Sequence, residues 1–412
     1  MIDIKEKKDC CGCHACATVC AKHCITMQAD EQGFLYPFVD KDVCTDCGLC
    51  EKVCPVINQG EPHKPLKVYA AKNKNEEIRR LSSSGGIFTL LAEKVIGEGG
   101  VVFGARFDEE WNVVHSWTDG IEGVAAFRGS KYVQSTIGNT YREAKDFLIK
   151  GRKVLFSGTP CQIVGLKKYL RKDYDNLLTV DVVCHGVPSP LVWRTYLDET
   201  LKSLPVKCND GKKTFVLSLN EIPVITGISF RDKTNGWKKF CFCLRYAAFE
   251  SASNSVSASD IKKENEMLQP FSDNIFMKGF LANLYLRPSC YDCAARSGKS
   301  GSDISIADFW GVQNYYPEFD DDKGVGLILV NSEKGKFVYD AIEVHNIEAT
   351  YEEGLKGNKC LEHSVTKTDQ IDLFWKEYWV HPFKALENVT QKKSPNILMR
   401  IIKKMKRLML SY

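Results

Sequence analysis

The stretch "CTDCGLCEKVCP", residues 44–55, sets Cys44, Cys47, Cys50 and Cys54 at gaps of two, two and three residues and closes on Pro55. This is the spacing of bacterial ferredoxins, in which three thiolates wrap one [4Fe–4S] cube and the fourth serves a second cube. A second run is therefore required, and "CCGCHACATVC" at 10–20 supplies it with Cys10, Cys13, Cys16 and Cys20. Crossed ligation assigns Cys10, Cys13, Cys16 and Cys54 to one cluster and Cys20, Cys44, Cys47 and Cys50 to the other. One departure stands out: Cys20 is followed by Ala21 rather than proline. Cys11 and Cys24 exceed the eight ligands and receive no role. Structural zinc needs four ligands and no duplicated run of this kind. A disulfide framework needs an oxidising compartment, and "MIDIKEKKDCC" contains no apolar signal-peptide core.

The 412 residues allow two or three domains. With 44% hydrophobic and 26% charged residues, the composition is that of a globular protein. No run is long and apolar enough for a membrane span. Eighteen cysteines without a secretory signal point to metal ligation in a reducing cytoplasm. The net charge of +4 is local, because residues 391–412 hold seven basic and no acidic residues. The body of the chain has no basic bias and offers no case for nucleic acid.

The cysteine repeat, taken as a ferredoxin-type domain over 1–60, ends in a polar linker, "NQGEPHKP". "KVYAAK" then reads as a strand, "GGIFTLLAEKVIGEGG" as a helix stopped by glycines, and "VVFGARF" with "WNVVHSW" as a strand pair. "RKVLFSGTPCQIVGLKKYL" and "LLTVDVVCHGVPSPLVWRTYL" both read as strand, turn and helix, the grammar of an α/β sheet. "KTFVLSL", "GISFRDK" and "FCFCLRYAAF" suggest a more antiparallel part, and "ESASNSVSASDIKKENE" a polar surface loop. The fold expected is a dicluster ferredoxin domain, then a mixed α/β domain with parts at 67–150 and 151–345, then a basic tail at 391–412.

Three turns carry chemistry. "LSSSGG" at 81–86 opens a helix, and serines and glycines there suit either an N-cap or a phosphate. "SGTPCQ" at 157–162 puts Pro160 at the first helical position and Cys161 in the first turn, where the helix dipole favours a thiolate. "VCHGVPS" places Cys184 and His185 at a strand end. Ligands collect at the carboxyl ends of strands in open α/β sheets. "RPSCYDCAAR" adds Cys290 and Cys293. Four such thiolates can hold a third [4Fe–4S] cluster, although free cysteines also serve as small buried hydrophobes. Cys208, Cys241, Cys243 and Cys360 lack a turn context and read as packing residues.

The ordered set "SSGG", "GSKYVQS", "SGTPCQ", "VCHGVPSP", "SFRDK", "SCYDCAAR" and "SDISIADFWG" resembles the coenzyme F420 hydrogenase/dehydrogenase beta-subunit family over roughly residues 67 to 330. The resemblance implies an FAD-containing iron–sulfur oxidoreductase that reduces a deazaflavin or another conjugated small molecule. It carries Ser84, Gly85, Gly86, Lys131, Gln134, Gly158, Thr159 and Gln162 over as flavin-binding candidates. It also favours Cys161, Cys184, Cys290 and Cys293 as ligands of the third cluster. Under this reading Lys131 places a positive charge near the flavin, and His185 is a candidate proton donor. The partners implied are a ferredoxin or electron-donor subunit and a small-molecule electron acceptor. Two other readings are an electron-transfer component that feeds a larger enzyme without its own substrate, and a cluster-bearing binding or scaffold protein. Finally, "PNILMRIIKKMKRLMLSY" at 395–412 spaces its apolar residues as a basic amphipathic helix, suited to an anionic membrane surface or to packing on protein. The expected location is cytoplasmic, with peripheral contact at the inner membrane surface through that tail.

Overall fold

A computed structural model describes residues 1–204, 223–247 and 264–391, with the backbone of a short strand pair at 206–207 and 214–215. The amphipathic tail lies outside the described residues, as do Cys208 and most of the serine-rich stretch. The last three residues of that stretch, Glu264 to Glu266, open a strand.

The two cysteine runs fold alike. Each turns into a short helix, Ala15–Val19 in the first and Leu49–Lys52 in the second. The residue before each helix lies in the left-handed region, His14 at φ 64° and Gly48 at φ 71°. Strands β1 (Ile25–Ala29) and β2 (Leu35–Val39) pair antiparallel between the runs. Buried Cys13, Ala15 and Val53 pack into one apolar cluster with Tyr141, Phe156, Ile163 and Leu166 of the larger domain.

The strands that follow are β3 (Lys67–Asn73), β4 (Val101–Phe107), β5 (Val113–Thr118), β6 (Val154–Gly158), β7 (Leu177–Val182), the short pair β8 (Val206–Lys207) and β9 (Thr214–Phe215), β10 (Val224–Asp232), β11 (Cys241–Ala247), β12 (Glu264–Pro270), β13 (Ile304–Asp308), β14 (Gly326–Val330) and β15 (Val344–Ala349). Eight of them form one sheet in the order β15-β3-β14-β13-β7-β6-β4-β5. Its centre, β4, β6, β7 and β13, is parallel, and the strands on either flank are antiparallel. Central strands read as near-continuous apolar runs because helices cover both faces. On one face the helix Ile87–Gly97 buries Ile87, Leu91 and Val95. Each such side chain stabilises the fold by about 1.5–3 kcal/mol. On the other, the helices Thr140–Ile149 and Pro160–Leu170 pack with the ferredoxin-type part.

A second layer, β10-β11-β12, is antiparallel, as the sequence suggests. Its core is aromatic: Trp193 and Tyr196 of the helix Pro190–Ser203 meet Phe230, Phe242 and Phe276. The helices Gln370–Tyr378 and Pro382–Gln391 close this core through Phe374, Trp375, Tyr378 and Leu386. Strands from both sides of position 150 share the main sheet.

Candidate iron–sulfur and anion-binding sites

Cys10, Cys13, Cys16 and Cys54 line one pocket, together with Ile2, Gly12, Met27 and Pro55. The fourth cysteine of the second run thus joins three from the first, as crossed ligation requires. Burial, then neighbouring Cys10 and Cys54, pushes the Cys16 thiol up to about 12. Such a gathering of thiols favours a cationic core that takes them as thiolates. In the other set, Cys20, Cys44 and Cys50 share a cluster with Cys24, while Cys47 is exposed. Cys20 Sγ stands 3.3 Å from Cys24 Sγ, and the Ile2 N–H donates to Cys50 Sγ at 3.2 Å. Cys24, without a role by spacing, is therefore next to a ligand candidate. Among the described residues no group of three or more such side chains closes round a single metal ion. A four-iron cube is larger than an ion and holds its thiolates further apart.

The sheet assembles another set of thiols. Cys161 lies in the first turn of the helix Pro160–Leu170, with its Sγ 3.2 Å from Thr159 Oγ1. Cys184 follows β7 by two residues. Cys290 and Cys293 lie in and just after the short turn Pro288–Asp292. The Val187 N–H donates to Cys290 Sγ at 3.4 Å, and Gly186 leaves room for that side chain. Burial pushes the Cys184 thiol well up, and Cys290, Cys161 and Cys293 all act on it. Arg296 donates to the carbonyl oxygens of Cys184, His185 and Cys360, while its buried Nε has no hydrogen-bond partner. A buried donor left open among four thiols is what an iron–sulfur cluster would satisfy, so these residues fit one. Cys241 and Cys243 are buried in β11 as packing residues. Cys360 instead sits beside the site, its Sγ 3.9 Å from His185 Nδ1.

His185 donates from Nε2 to Asn283 Oδ1 at 2.7 Å and meets Phe280 edge-on. Burial lowers its pKa, which keeps the ring neutral at pH 7. The turn at 81–86 is tied to the family motifs around it. Ser83 Oγ receives the Ser130 N–H at 2.7 Å, and Ser84 Oγ donates to the Val325 carbonyl at 2.8 Å. Gly85 lies against the Ala71 carbonyl and the Gly326 N–H, where a Cβ would collide. Gly86, at φ 80°, starts the helix Ile87–Gly97 without a side-chain cap. Lys131, next to Ser130, donates to the carbonyls of Ala126, Arg128 and Gly129 at 2.8–3.3 Å. Burial pushes its pKa down to about 7. Uncapped helical N–H groups can receive an anionic group.

Other flavin candidates are engaged internally. Gln162 Oε1 accepts the Thr159 N–H at 2.9 Å in a capping box, and its Nε2 donates to Ser135 Oγ at 2.9 Å. Gly158 lies against the Gln162 side chain. Gln134 Nε2 donates to the Cys11 carbonyl at 3.2 Å, spanning from the sheet domain to the first cysteine run. The Cys11 thiol lies between Cys13 and Cys161, and both act on its pKa. Spacing left it without a role because its contact lies 150 residues away.

Paired cysteine runs folded against a sheet that gathers further thiols define an iron–sulfur electron-transfer protein. Residues 9–58 match the 4Fe-4S dicluster domain, and residues 151–353 match the C terminus of the coenzyme F420 hydrogenase/dehydrogenase beta subunit. Over residues 151–353 the chain belongs to the coenzyme F420 hydrogenase/dehydrogenase beta-subunit family. It is 28% identical over 203 residues to the coenzyme F420-dependent sulfite reductase of Methanocaldococcus jannaschii, covering 47% of this chain and 30% of that protein. It is 25% identical over 170 residues to a subunit of the F(420)H(2) dehydrogenase of Methanosarcina mazei, covering 37% of this chain and 46% of the relative. The ferredoxin-type part is 45% identical over 64 residues to Ferredoxin 7Fe of Hydrogenibacillus schlegelii, 15% of this chain and 76% of that one. The chain thus spans less than half the length of the first two relatives. Among solved structures, the F420-reducing [NiFe] hydrogenase complex from Methanosarcina barkeri aligns with 82% of this chain and 95% of its own at 17% identity and TM-score 0.43.

Proposed function

We propose that the chain moves electrons between its two ferredoxin-type clusters and an FAD, through a third [4Fe–4S] cluster held by Cys161, Cys184, Cys290 and Cys293, and reduces a deazaflavin or a similar conjugated molecule. The observation that carries this reading is the approach of three separate segments: the Val187 N–H donates to Cys290 Sγ, Arg296 donates to the Cys184 carbonyl, and Cys161, Cys290 and Cys293 all act on the Cys184 thiol. A bound FAD would exchange electron pairs with the acceptor and single electrons with the clusters. The uncapped N-terminus after Gly86 would hold its negatively charged part, and Lys131, whose neighbour Ser130 bonds to Ser83 of the same turn, would add charge when protonated. His185, neutral and fixed by Asn283, can give or take a proton near Phe280.

The internal bonds of Gln134, Gln162 and Ser84 favour a second reading, in which this chain passes electrons to a partner protein and has no small-molecule substrate of its own. One preparation tests both. The anaerobically purified chain is assayed for iron and flavin, then reduced and offered a deazaflavin. Three clusters' worth of iron with flavin, reoxidised by the acceptor, supports the first reading. Iron with no flavin, or flavin that no acceptor reoxidises, supports the second.

A further inference from the structure

The seam between the ferredoxin-type part and the sheet is occupied by one fully buried arginine. Arg287 Nε donates to the Cys10 carbonyl at 2.7 Å, and Nη1 donates to Gln134 Oε1 at 2.9 Å. Its Nη2 donates to the Leu35 carbonyl at 2.9 Å and to Cys10 Sγ at 3.4 Å. The guanidinium also lies over the Tyr36 ring, 4.3 Å from its centroid. Gly12 admits it: at φ 70°, a Cβ there would stand 2.8 Å from Nη1 and 2.6 Å from Gln134 Nε2.

No carboxylate pairs with Arg287 among the described residues. The groups able to carry negative charge that face it are Cys10, Tyr36, Cys11 and Cys290, and Cys161 is within its reach. Removing one partner of a buried ion pair is strongly destabilising, so an unpaired buried cation is expensive. Thiolate-ligated clusters on both sides of the seam supply the missing anions.

We propose that Arg287 is a positioning residue for electron transfer: it raises the reduction potential of the cluster at Cys10, Cys13, Cys16 and Cys54 relative to the other ferredoxin-type cluster. This rests on the proposed function above only for the cluster on the sheet side. The physical reason is that reduction adds negative charge, which a cationic N–H···S contact stabilises. A site shielded from water amplifies the effect. Arg287 contacts the carbonyl and sulfur of Cys10, so the electron is favoured at the seam rather than at the exposed end near Cys47.

The test is an EPR-monitored redox titration of the full-length anaerobic protein, with iron and sulfide analysis, for the wild type, Arg287→Gln and Arg287→Lys. Arg287→Gln is expected to lower the midpoint of the first cluster by about tenfold in its equilibrium, ~59 mV for one electron. Cluster content and the midpoint of the other ferredoxin-type cluster stay unchanged. Arg287→Lys keeps the charge but cannot reach the Cys10 carbonyl and sulfur together, and shifts the same midpoint less. A fully loaded Arg287→Gln protein with unchanged midpoints, or with both ferredoxin-type clusters moved equally, overturns the proposal. If Arg287→Gln does not load, a wild-type midpoint in loaded Arg287→Lys overturns it. Wild-type iron amounting to two cubes removes the third cluster and the proposed function, yet leaves the effect on the first cluster to be read separately.

Discussion

Arg231 and Asp308 form a two-pronged buried ion pair, with Nη1 to Oδ2 at 2.7 Å and Nη2 to Oδ1 at 3.0 Å. The pair joins β10 to the end of β13. Trp237 Nε1 donates to the same carboxylate at 2.7 Å, and Trp237 stacks on Trp310 with centroids 4.7 Å apart. Asp308→Asn leaves Arg231 charged in a site with almost no water. The expected destabilisation is about 3–5 kcal/mol. Denaturant unfolding of the purified protein measures it, and a loss below ~1 kcal/mol would show that the pair adds little.

Crossed ligation is tested at Cys54. Cys54→Ser should remove or convert the cluster served mainly by Cys10, Cys13 and Cys16, and leave the other ferredoxin-type signal in place. Iron analysis and EPR read the outcome. Two unchanged signals would contradict the assignment that the shared pocket supports.

Docking of the ferredoxin-type part is tested at Gly165. A Cβ there would meet Cys13 Cβ and Tyr141 Oη at 2.9 Å each. Gly165→Ala is expected to cost about 1–3 kcal/mol by overpacking. Electron transfer from the first cluster to the sheet side should slow as well. Rapid-mixing reduction kinetics, with wild-type cluster content as the control, would reveal the change.

A pH prediction follows from His115, whose ring is buried against Phe156 and whose Nε2 donates to the Ser157 carbonyl at 3.1 Å. Burial lowers its pKa to about 4. Between the ordinary value of about 6.5 and that folded value, the unfolded chain binds the extra proton. Stability therefore falls as pH drops through this window, by up to about 1.4 kcal/mol per pH unit for one proton. His115→Gln keeps a neutral donor and should flatten that part of the slope. Parallel slopes for wild type and variant between pH 5 and 7 would exclude the effect.

The cysteine runs were legible from spacing because their ligands are local, and the strand–turn–helix units because their apolar runs end at glycine and proline. The meeting of Cys161, Cys184, Cys290 and Cys293 was only partly legible, since it depends on β6, β7 and β13 lying side by side. Arg287, Cys11 and Cys24 carried no signal of their own: one-dimensional patterns do not record which buried group lacks a partner. Arg231 and Asp308 stood within quoted motifs, yet their pairing spans 77 residues. The helices after residue 350 were missed although Phe374, Trp375 and Tyr378 share a helical face.

In the main sheet, Gly158 at the end of β6 is in register with Asp181 near the end of β7. Cys161 and Cys184 each follow those partners by three residues, so two paired strand ends, roughly 4.8 Å apart, launch the two thiols side by side. A hydrogen-bond ladder is a stiff gauge. Lengthening the chain between 204 and 223, or between 247 and 264, leaves that gauge untouched, whereas one residue inserted between Gly158 and Cys161 would rotate the thiol by about 100° on its helix. The length of these two short turns is thus what the pair of thiols depends on.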